Sequence, residues 1–200
     1  FHLIMNHTLT DKFRNNLAAL CPDWQGARFL VAYSGGLDST ALLHLMAMSL
    51  PAAQLAAAHL NHELRGEAAI GDQQFAEKIA VGLSVEFITE NRDVGALARA
   101  RRKGVEEAAR RARYDFLARA AAAWSADYVL TAHQADDQAE TMLMNFLKGS
   151  GAGGPAGIHP RRRLRCPGAG ERHVELVRPL LPFTRLELPP LRELGRLALV

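Results

Sequence analysis

Apolar positions along the chain alternate between two patterns. Short unbroken apolar runs at Phe29–Tyr33, Leu55–His59, Val85–Ile88 and Tyr128–Thr131 are bounded by polar or glycine-bearing segments, as buried strands are. Between these runs apolar residues recur every three or four positions, as on one face of a helix. Phe13, Leu17 and Leu20 do so within Thr8–Leu20, Leu42, Leu43, Leu45 and Met46 within 38–49, and Phe75, Ile79, Ala80 and Leu83 within 72–83. Val105–Ala123 reads as a long alanine- and arginine-rich helix whose pattern reaches back to Val94 across a break at Gly104. Ala135–Leu147 is a further helix and Val174–Val177 a further strand, with the glycine-rich segment 149–157 between them as a lid or a linker. Strands that alternate with helices predict an α/β fold: a mostly parallel sheet with helices on both faces. A ligand of such a sheet lies outside the carboxyl ends of its strands. Three polar segments, 34–39, 59–65 and 131–137, each follow a predicted strand and so are expected on that one edge.

The first of these segments carries the strongest chemistry. Ser34-Gly35-Gly36-Leu37-Asp38-Ser39 joins the first strand to the helix that follows. Gly35 and Gly36 permit a tight turn and close approach of a ligand to the backbone. The unpaired N–H groups of the helix's first turn, with the Ser34 and Ser39 hydroxyls, suit an anion. Asp38 would repel phosphate on its own, so Mg²⁺ held between it and the phosphates is the natural companion. The bland alternative is an ordinary glycine turn between strand and helix. The segment has neither the lysine of a Walker loop nor the glycine spacing of a dinucleotide fold.

The third segment, His133-Gln134-Ala135-Asp136-Asp137-Gln138-Ala139-Glu140-Thr141, opens a helix. Asp136 or Asp137 can cap it. Asp137 and Glu140 share a helical face, while Met142, Leu143, Phe146 and Leu147 are expected to bury the helix by its other faces. Paired carboxylates beside a phosphate site could hold Mg²⁺ or receive a cationic substrate.

Taken together, the Ser34–Ser39 loop, Ala57–Gly66, Glu106–Tyr114, Thr131–Thr141, Lys148–Gly151 and Arg178–Leu181 resemble, in order, the tRNA(Ile)-lysidine synthetases. The loop alone resembles the wider group of N-type ATP pyrophosphatases, the Rossmann-like PP-loop ATPases of adenine nucleotide alpha hydrolase type. One departure is Gln134, where the family usually has a second histidine. The resemblance implies a two-step ligation. ATP adenylates C2 of the wobble cytidine in the CAU anticodon of tRNA(Ile) and pyrophosphate leaves; the amine of free L-lysine then displaces AMP. The product, lysidine, changes decoding from AUG to AUA. It further implies that Ser34, Gly35, Gly36, Leu37, Asp38 and Ser39 bind ATP, that Asp38 (and in second place Asp136) holds Mg²⁺, and that Asp137 and Glu140 receive lysine. Catalytic roles fall to Asp38, Arg110, Arg113, His133 and Asp137. His133 suits a proton acceptor because imidazole titrates near neutrality, although a buried or capping histidine reads equally well. Arg110 and Arg113 could clamp a phosphate or form a solvated face. His59, Asn61, His62 and Arg65, after the second strand, would line a base pocket.

Composition narrows the partners. A net charge of +3 over 200 residues is compatible with RNA. Two basic runs, 99–103 with Arg101, Arg102 and Lys103, and 161–165 with Arg161, Arg162 and Arg163, could meet tRNA phosphates or remain solvated loops. The two cysteines, Cys21 and Cys166, are far apart, which speaks against a zinc site, an iron–sulfur cluster or a disulfide framework. They likewise disfavour a tRNA thiolase, the nearest rival reading, and the acidic cluster at 136–140 disfavours a module that merely senses ATP. No apolar run approaches the roughly 20 residues of a membrane span, so a cytoplasmic protein without membrane association is expected. The boundaries expected are an N-terminal helix and lead-in over 1–28, the catalytic domain over 29–185 and the start of a C-terminal region over 186–200. A dimer is compatible with this sequence.

Overall fold

The computed structural model describes residues 2–62, 67–101, 104–147, 157–166 and 173–190. Among the described residues six strands form one sheet: β1 (Phe29–Ala32), β2 (Leu55–Asn61), β3 (Glu86–Asn91), β4 (Tyr128–Leu130), β5 (Arg161–Arg165) and β6 (His173–Val177). Their order is β3-β2-β1-β4-β6-β5, all parallel except β5, which runs antiparallel to β6. The helices are α1 (His2–Leu20), α2 (Leu37–Ala47), α3 (Glu67–Gly82), α4 (Val94–Arg101), α5 (Val105–Ala123) and α6 (Ala135–Leu147). The break at Gly104 separates α4 from α5 as its glycine suggests, with Gly104 as the N-cap of α5.

Alternation within the strands sorts the core into two layers, because successive side chains point to opposite faces. Phe29 and Val31 of β1, with Leu55 and Ala57 of β2, pack against Phe13 and Leu17 of α1, Leu42 and Met46 of α2 and Ile79 of α3. Leu30, Ala56 and Ala58 turn to the other face and meet Phe116, Leu117, Ala120 and Ala121 of α5. Alanines on both β2 and α5 leave room for the helix to lie close to the sheet. The two edges are polar in keeping with the need to discourage pairing with another chain. β3 alternates exposed and half-buried positions, and β5 buries only Leu164.

Two expectations need correction. Residues 161–165 are an edge strand and not a loop. Four arginines hide the period-two signal that Leu164 alone carries. The apolar side chains of α6 do not bury it: Leu143, Phe146 and Leu147 are 59%, 71% and 74% exposed, and no residue of α6 is buried among the described residues. This helix is held mainly at its first turn, as described below. The 149–156 part of the glycine-rich segment, Arg65, Arg102 and Lys103 lie outside the described residues; Arg101 ends α4. No helix among the described residues is long and apolar enough to cross a membrane.

α5 ends where glycine is usual but absent. Ser125 takes φ +56°, in the left-handed region, while Ala126 N–H donates to the Ala121 carbonyl and Ser125 N–H to the Ala122 carbonyl. A side chain there carries a conformational cost that glycine lacks. Ser125→Gly is therefore expected to stabilise the fold by up to about 1 kcal/mol, read as a rise in the midpoint of thermal or urea unfolding. A fall would show that the serine hydroxyl contributes more than its backbone conformation costs.

Candidate active site

A parallel sheet opens a crevice where neighbouring strands are followed by connections that leave in opposite directions. Here that point lies between β1, whose chain next passes to β2, and β4 on its other side. A cavity of about 710 Å³ occupies it, in the range of small-molecule sites. Its walls are the segments following β1 and β4, the end of β2 with His62, α5, Asp72 of α3 and Arg185.

The segment after β1 forms the floor. Gly35 has φ +79°, which a β-carbon would strain. Gly36 is the N-cap of α2 and offers no side chain to the first turn. Capping is instead inverted: the Ser39 and Thr40 hydroxyls both donate to the Gly36 carbonyl at 2.9 Å, while Ser34 Oγ and Ser39 Oγ lie 3.0 Å apart. The N–H groups of the helix start, which lack helical partners in general, face the cavity end. Asp38 stands on this first turn. One carboxylate oxygen, Oδ1, is buried without a partner, and Oδ2 accepts from Arg185 Nη1 at 3.4 Å. Burial pushes the Asp38 carboxyl pKa up; Arg185 opposes the rise, and the charges of Asp137 and Asp136 add to it. An orphaned carboxylate oxygen repelled by two further acids fits a divalent cation shared with phosphate oxygens, since Mg²⁺ takes one or two carboxylates and completes its shell with substrate and water.

The opposite wall starts at Thr131. Its hydroxyl lies 3.0 Å from His133 Nδ1 and fixes the ring. Burial, with the positive charges of Arg178, Arg110 and Arg113, lowers the His133 pKa against the opposing pull of Asp137. The ring is therefore neutral at neutral pH and competent to accept a proton. Gln134 caps α6 reciprocally with Asp137: its Oε1 accepts from Asp136 N–H, and its own N–H donates to Asp137 Oδ2, each at 2.8 Å. The family's departure at Gln134 thus has a local role, because a 3%-exposed amide serves as the cap. Ala135 N–H donates to the Phe183 carbonyl at 2.9 Å, so a distant turn completes the helix start.

The third wall comes from β2 and α5. His59 Nδ1–H donates to the Tyr33 carbonyl at 3.0 Å, and its ring stacks on Phe87. His62 keeps a buried Nδ1 without a partner. Burial lowers the pKa of both. Asn61 donates to the Gln73 side chain. Arg113 lines the cavity from α5 and its charge depresses His62 further.

The cavity thus gathers Ser34, Gly36, Leu37, Asp38, Ser39, Arg113, His133 and Asp137 from the residues expected by sequence. Gly35 turns the loop beneath it. Asp136 and Glu140 are exposed on α6 and are not part of the lining, although the Asp136 charge reaches Asp38. Arg110 lies outside the lining and stacks near Tyr114. The arginines of β5 divide by strand alternation. Arg161 and Arg163 both approach Glu175, whereas Arg162 faces Tyr114 on the α5 side. Arg185 was missed by sequence reasoning. Its signal was Thr184-x-x-Glu187, a capping box that fixes the short 3₁₀ turn carrying it. The cysteines take no part: Cys21 and Cys166 are buried in different core layers, and burial pushes the Cys21 thiol up to about 12.

Comparison with known proteins agrees with this arrangement. The chain is 43% identical over 164 residues to the tRNA(Ile)-lysidine synthase of Geobacter sulfurreducens, covering 82% of this chain and 33% of that protein. It is 38% identical over 186 residues to that of Chlorobaculum tepidum, covering 92% and 53%. It is 44% identical over 179 residues to that of Alkalilimnicola ehrlichii, covering 86% and 36%. The chain therefore spans from a third to about half of these relatives' length. Among solved structures the fold is shared with the U34-tRNA thiolase of Methanococcus maripaludis, which has a [4Fe-4S] cluster, at a TM-score of 0.71 and 17% identity over 97% of this chain and 64% of that one. It is shared also with the NH3-dependent NAD synthetase of Campylobacter jejuni, at 0.58 and 15% over 97% and 72%. The model of the PP-loop domain matches residues 9–197, and the glycine turn after β1, the parallel sheet and the cavity at its carboxyl edge are accounted for together: the chain belongs to the PP-loop family of ATP-binding domains.

Proposed function

We propose that this chain is the catalytic part of a cytoplasmic ligase that joins L-lysine to C2 of the wobble cytidine in the CAU anticodon of tRNA(Ile), through an adenylated RNA intermediate. The observation that carries the reading is one cavity holding the glycine turn and helix start after β1, an orphaned Asp38 oxygen, the Asp137 carboxylate and a His133 whose pKa burial lowers. The likeness to tRNA(Ile)-lysidine synthases over more than four-fifths of the chain supports it. Within it, we assign the catalytic domain to residues 29–185, with 1–28 as its lead-in.

In the first step the cytidine O2 attacks the α-phosphorus of ATP, and the bond to pyrophosphate breaks. The 34–39 loop orients the triphosphate by backbone N–H groups and hydroxyls. Asp38 and the phosphates would hold Mg²⁺, which when bound neutralises charge on the leaving pyrophosphate. Arg185 adds positive charge at the same end, and Arg113 adds it from the α5 wall. In the second step the lysine amine forms a C–N bond at C2, and the C–O bond to AMP breaks. The amine must shed a proton, and His133 accepts it. Asp137, with Glu140 one turn further along α6, attracts the ammonium groups of lysine. A thiolase reading is not favoured, because sulfur transfer would need a thiol at the cavity and both cysteines lie in the core.

An isoleucine tRNA transcript with a CAU anticodon, incubated with α-labelled ATP and Mg²⁺, is expected to carry labelled AMP without lysine and to release it, forming lysidine, when lysine is added. Label that never reaches RNA in a folded, ATP-binding protein would overturn the proposal. Asp38→Asn should lower adenylation by roughly 10²-fold or more, a size typical of losing one electrostatic stabiliser of the transition state, with the circular-dichroism melt unchanged. A collapsed melt would make Asp38 structural. Glu140→Gln should raise the KM for lysine more than it slows adenylation; equal damage to both steps would move Glu140 to the nucleotide. For His133, the lowered pKa places protonation below the usual imidazole value of 6.5. The rate of the lysine step should therefore stay level from neutral pH to below that value and only then fall. In His133→Gln that acid limb should vanish along with most of the rate, whereas its persistence would assign the proton to another group.

A further inference from the structure

Beside the cavity three arginines surround one tyrosine with no acid among them. Arg178, directly after β6, is 4% exposed. Its Nη1 donates to the His159 carbonyl, the Tyr114 side chain stands near enough to favour its charged form, and its Nε is buried without a partner. A buried guanidinium served only by neutral groups is a costly arrangement, since removal from water is usually offset by a carboxylate. Two more cations make it costlier. Arg110, one turn before Tyr114 on α5, places its guanidinium carbon 5.3 Å from the Tyr114 ring centroid. Arg162, from β5, places its own at 4.5 Å. Burial pushes the Arg178 pKa down, and the charges of Arg162 and Arg110 push the same way. Among the described residues none of the three has a carboxylate within ion-pair distance. The contrast across β5 is sharp: Arg161 and Arg163, on the opposite face, share an ion-pair partner in Glu175.

Topology explains why the three meet. β5 is antiparallel, so its first residues lie at the carboxyl edge of the parallel strands, where Arg178 emerges from β6 and the N-terminal half of α5 passes. Tyr114 itself lines the cavity. Arg110 and Arg162 are exposed and stand outside that lining, held ready by the ring between them. We propose that Arg110 and Arg162, flanking Tyr114 above the buried Arg178, form a binding site for a backbone phosphodiester of the RNA substrate. Guanidinium forks match phosphate oxygens in pairs. A nucleotide whose base enters the cavity must leave its backbone at the rim, which is where these cations are. The site rests on the RNA-ligase reading for its substrate, but its test does not depend on turnover.

Binding of the CAU-anticodon transcript to the whole 200-residue chain would be measured by fluorescence anisotropy across a salt series, and binding of ATP with Mg²⁺ by equilibrium dialysis. Arg110→Gln and Arg162→Gln should each weaken RNA binding about 5- to 10-fold at moderate salt and reduce the slope of log affinity against log salt by about 1. ATP affinity should stay at the wild-type value. Arg162→Lys should preserve the slope, and Arg163→Gln, on the paired face, should change RNA affinity less than Arg162→Gln. Unchanged RNA affinity and slope in both glutamine variants would overturn the site. A parallel loss of ATP affinity would reassign it to a nucleotide phosphate, and a rise in lysine KM without change in RNA affinity would reassign it to the lysine carboxylate; either result overturns the proposal. RNA binding that depends on both arginines in a protein that forms no lysidine would uphold the site and sink the ligase reading. Lysidine formation with RNA binding indifferent to both would do the reverse.

Discussion

Parallel pairing on both flanks of β1 is the constraint from which the rest of the architecture follows. Its residues pair with β2 on one side and β4 on the other, so every connection must cross back over a face before the next strand can be added. The crossings supply α2 and α3, which with the preceding α1 cover one face, and α5, which covers the other. They also bring the starts of α2 and α6 to a single edge, one after β1 and the other after β4. Helix starts carry unpaired N–H groups and a partial positive charge, so the topology by itself makes that edge receptive to anions. Glycine 35, with its left-handed backbone, lets the chain turn tightly enough to place the first of them.

The polar groups at this edge are consistent in what they lack. Asp38 Oδ1, His62 Nδ1 and Arg178 Nε are all buried without a partner. Buried polar atoms are ordinarily satisfied, and isolated exceptions are costly. Three of the six such atoms among the described residues lie in or beside one cavity, where groups arriving from outside can satisfy them. The histidines at the cavity share another trait. Burial lowers the pKa of His59, His62 and His133 alike, so the walls hold uncharged rings that can accept protons while the charge is concentrated on carboxylates and guanidinium groups.

Much of this was legible in the order of residues, and the parts that were not have physical reasons. β1, β2 and the helices that pack on them are strongly patterned because each buries a continuous face. The loop at 34–39 announces itself through glycine spacing, and Asp137 through its place at a helix start. β5 was hidden because an edge strand buries almost nothing, leaving Leu164 as its only apolar mark. α6 misled in the opposite sense. Its apolar stripe reads as a core face, yet Leu143, Phe146 and Leu147 are exposed, since the helix is fastened by hydrogen bonds at its first turn. Arg178 and Arg185 escaped because their roles depend on contacts across the whole chain, with Tyr114 and Asp38, that local spacing cannot encode. Pairing of Arg161 and Arg163 with Glu175 likewise became apparent only once the register of β5 against β6 was known.

The short turn at 183–187 acts as a mechanical joint. From one side α1 grips it: Lys12 pairs with Glu187 at 2.5 Å and lies 4.6 Å from the Phe183 ring centroid, and Phe13 packs against the same ring. From another side the Phe183 carbonyl receives the first N–H of α6, and from a third Arg185 reaches Asp38. The floor of the cavity and its acidic wall therefore share one pivot, anchored by a helix that contributes no lining residue of its own. A phosphate entering beside Asp38 would meet Arg185 on the same short turn that holds the cap of α6 and rests against α1. The two ends of the cavity are thus built on one support.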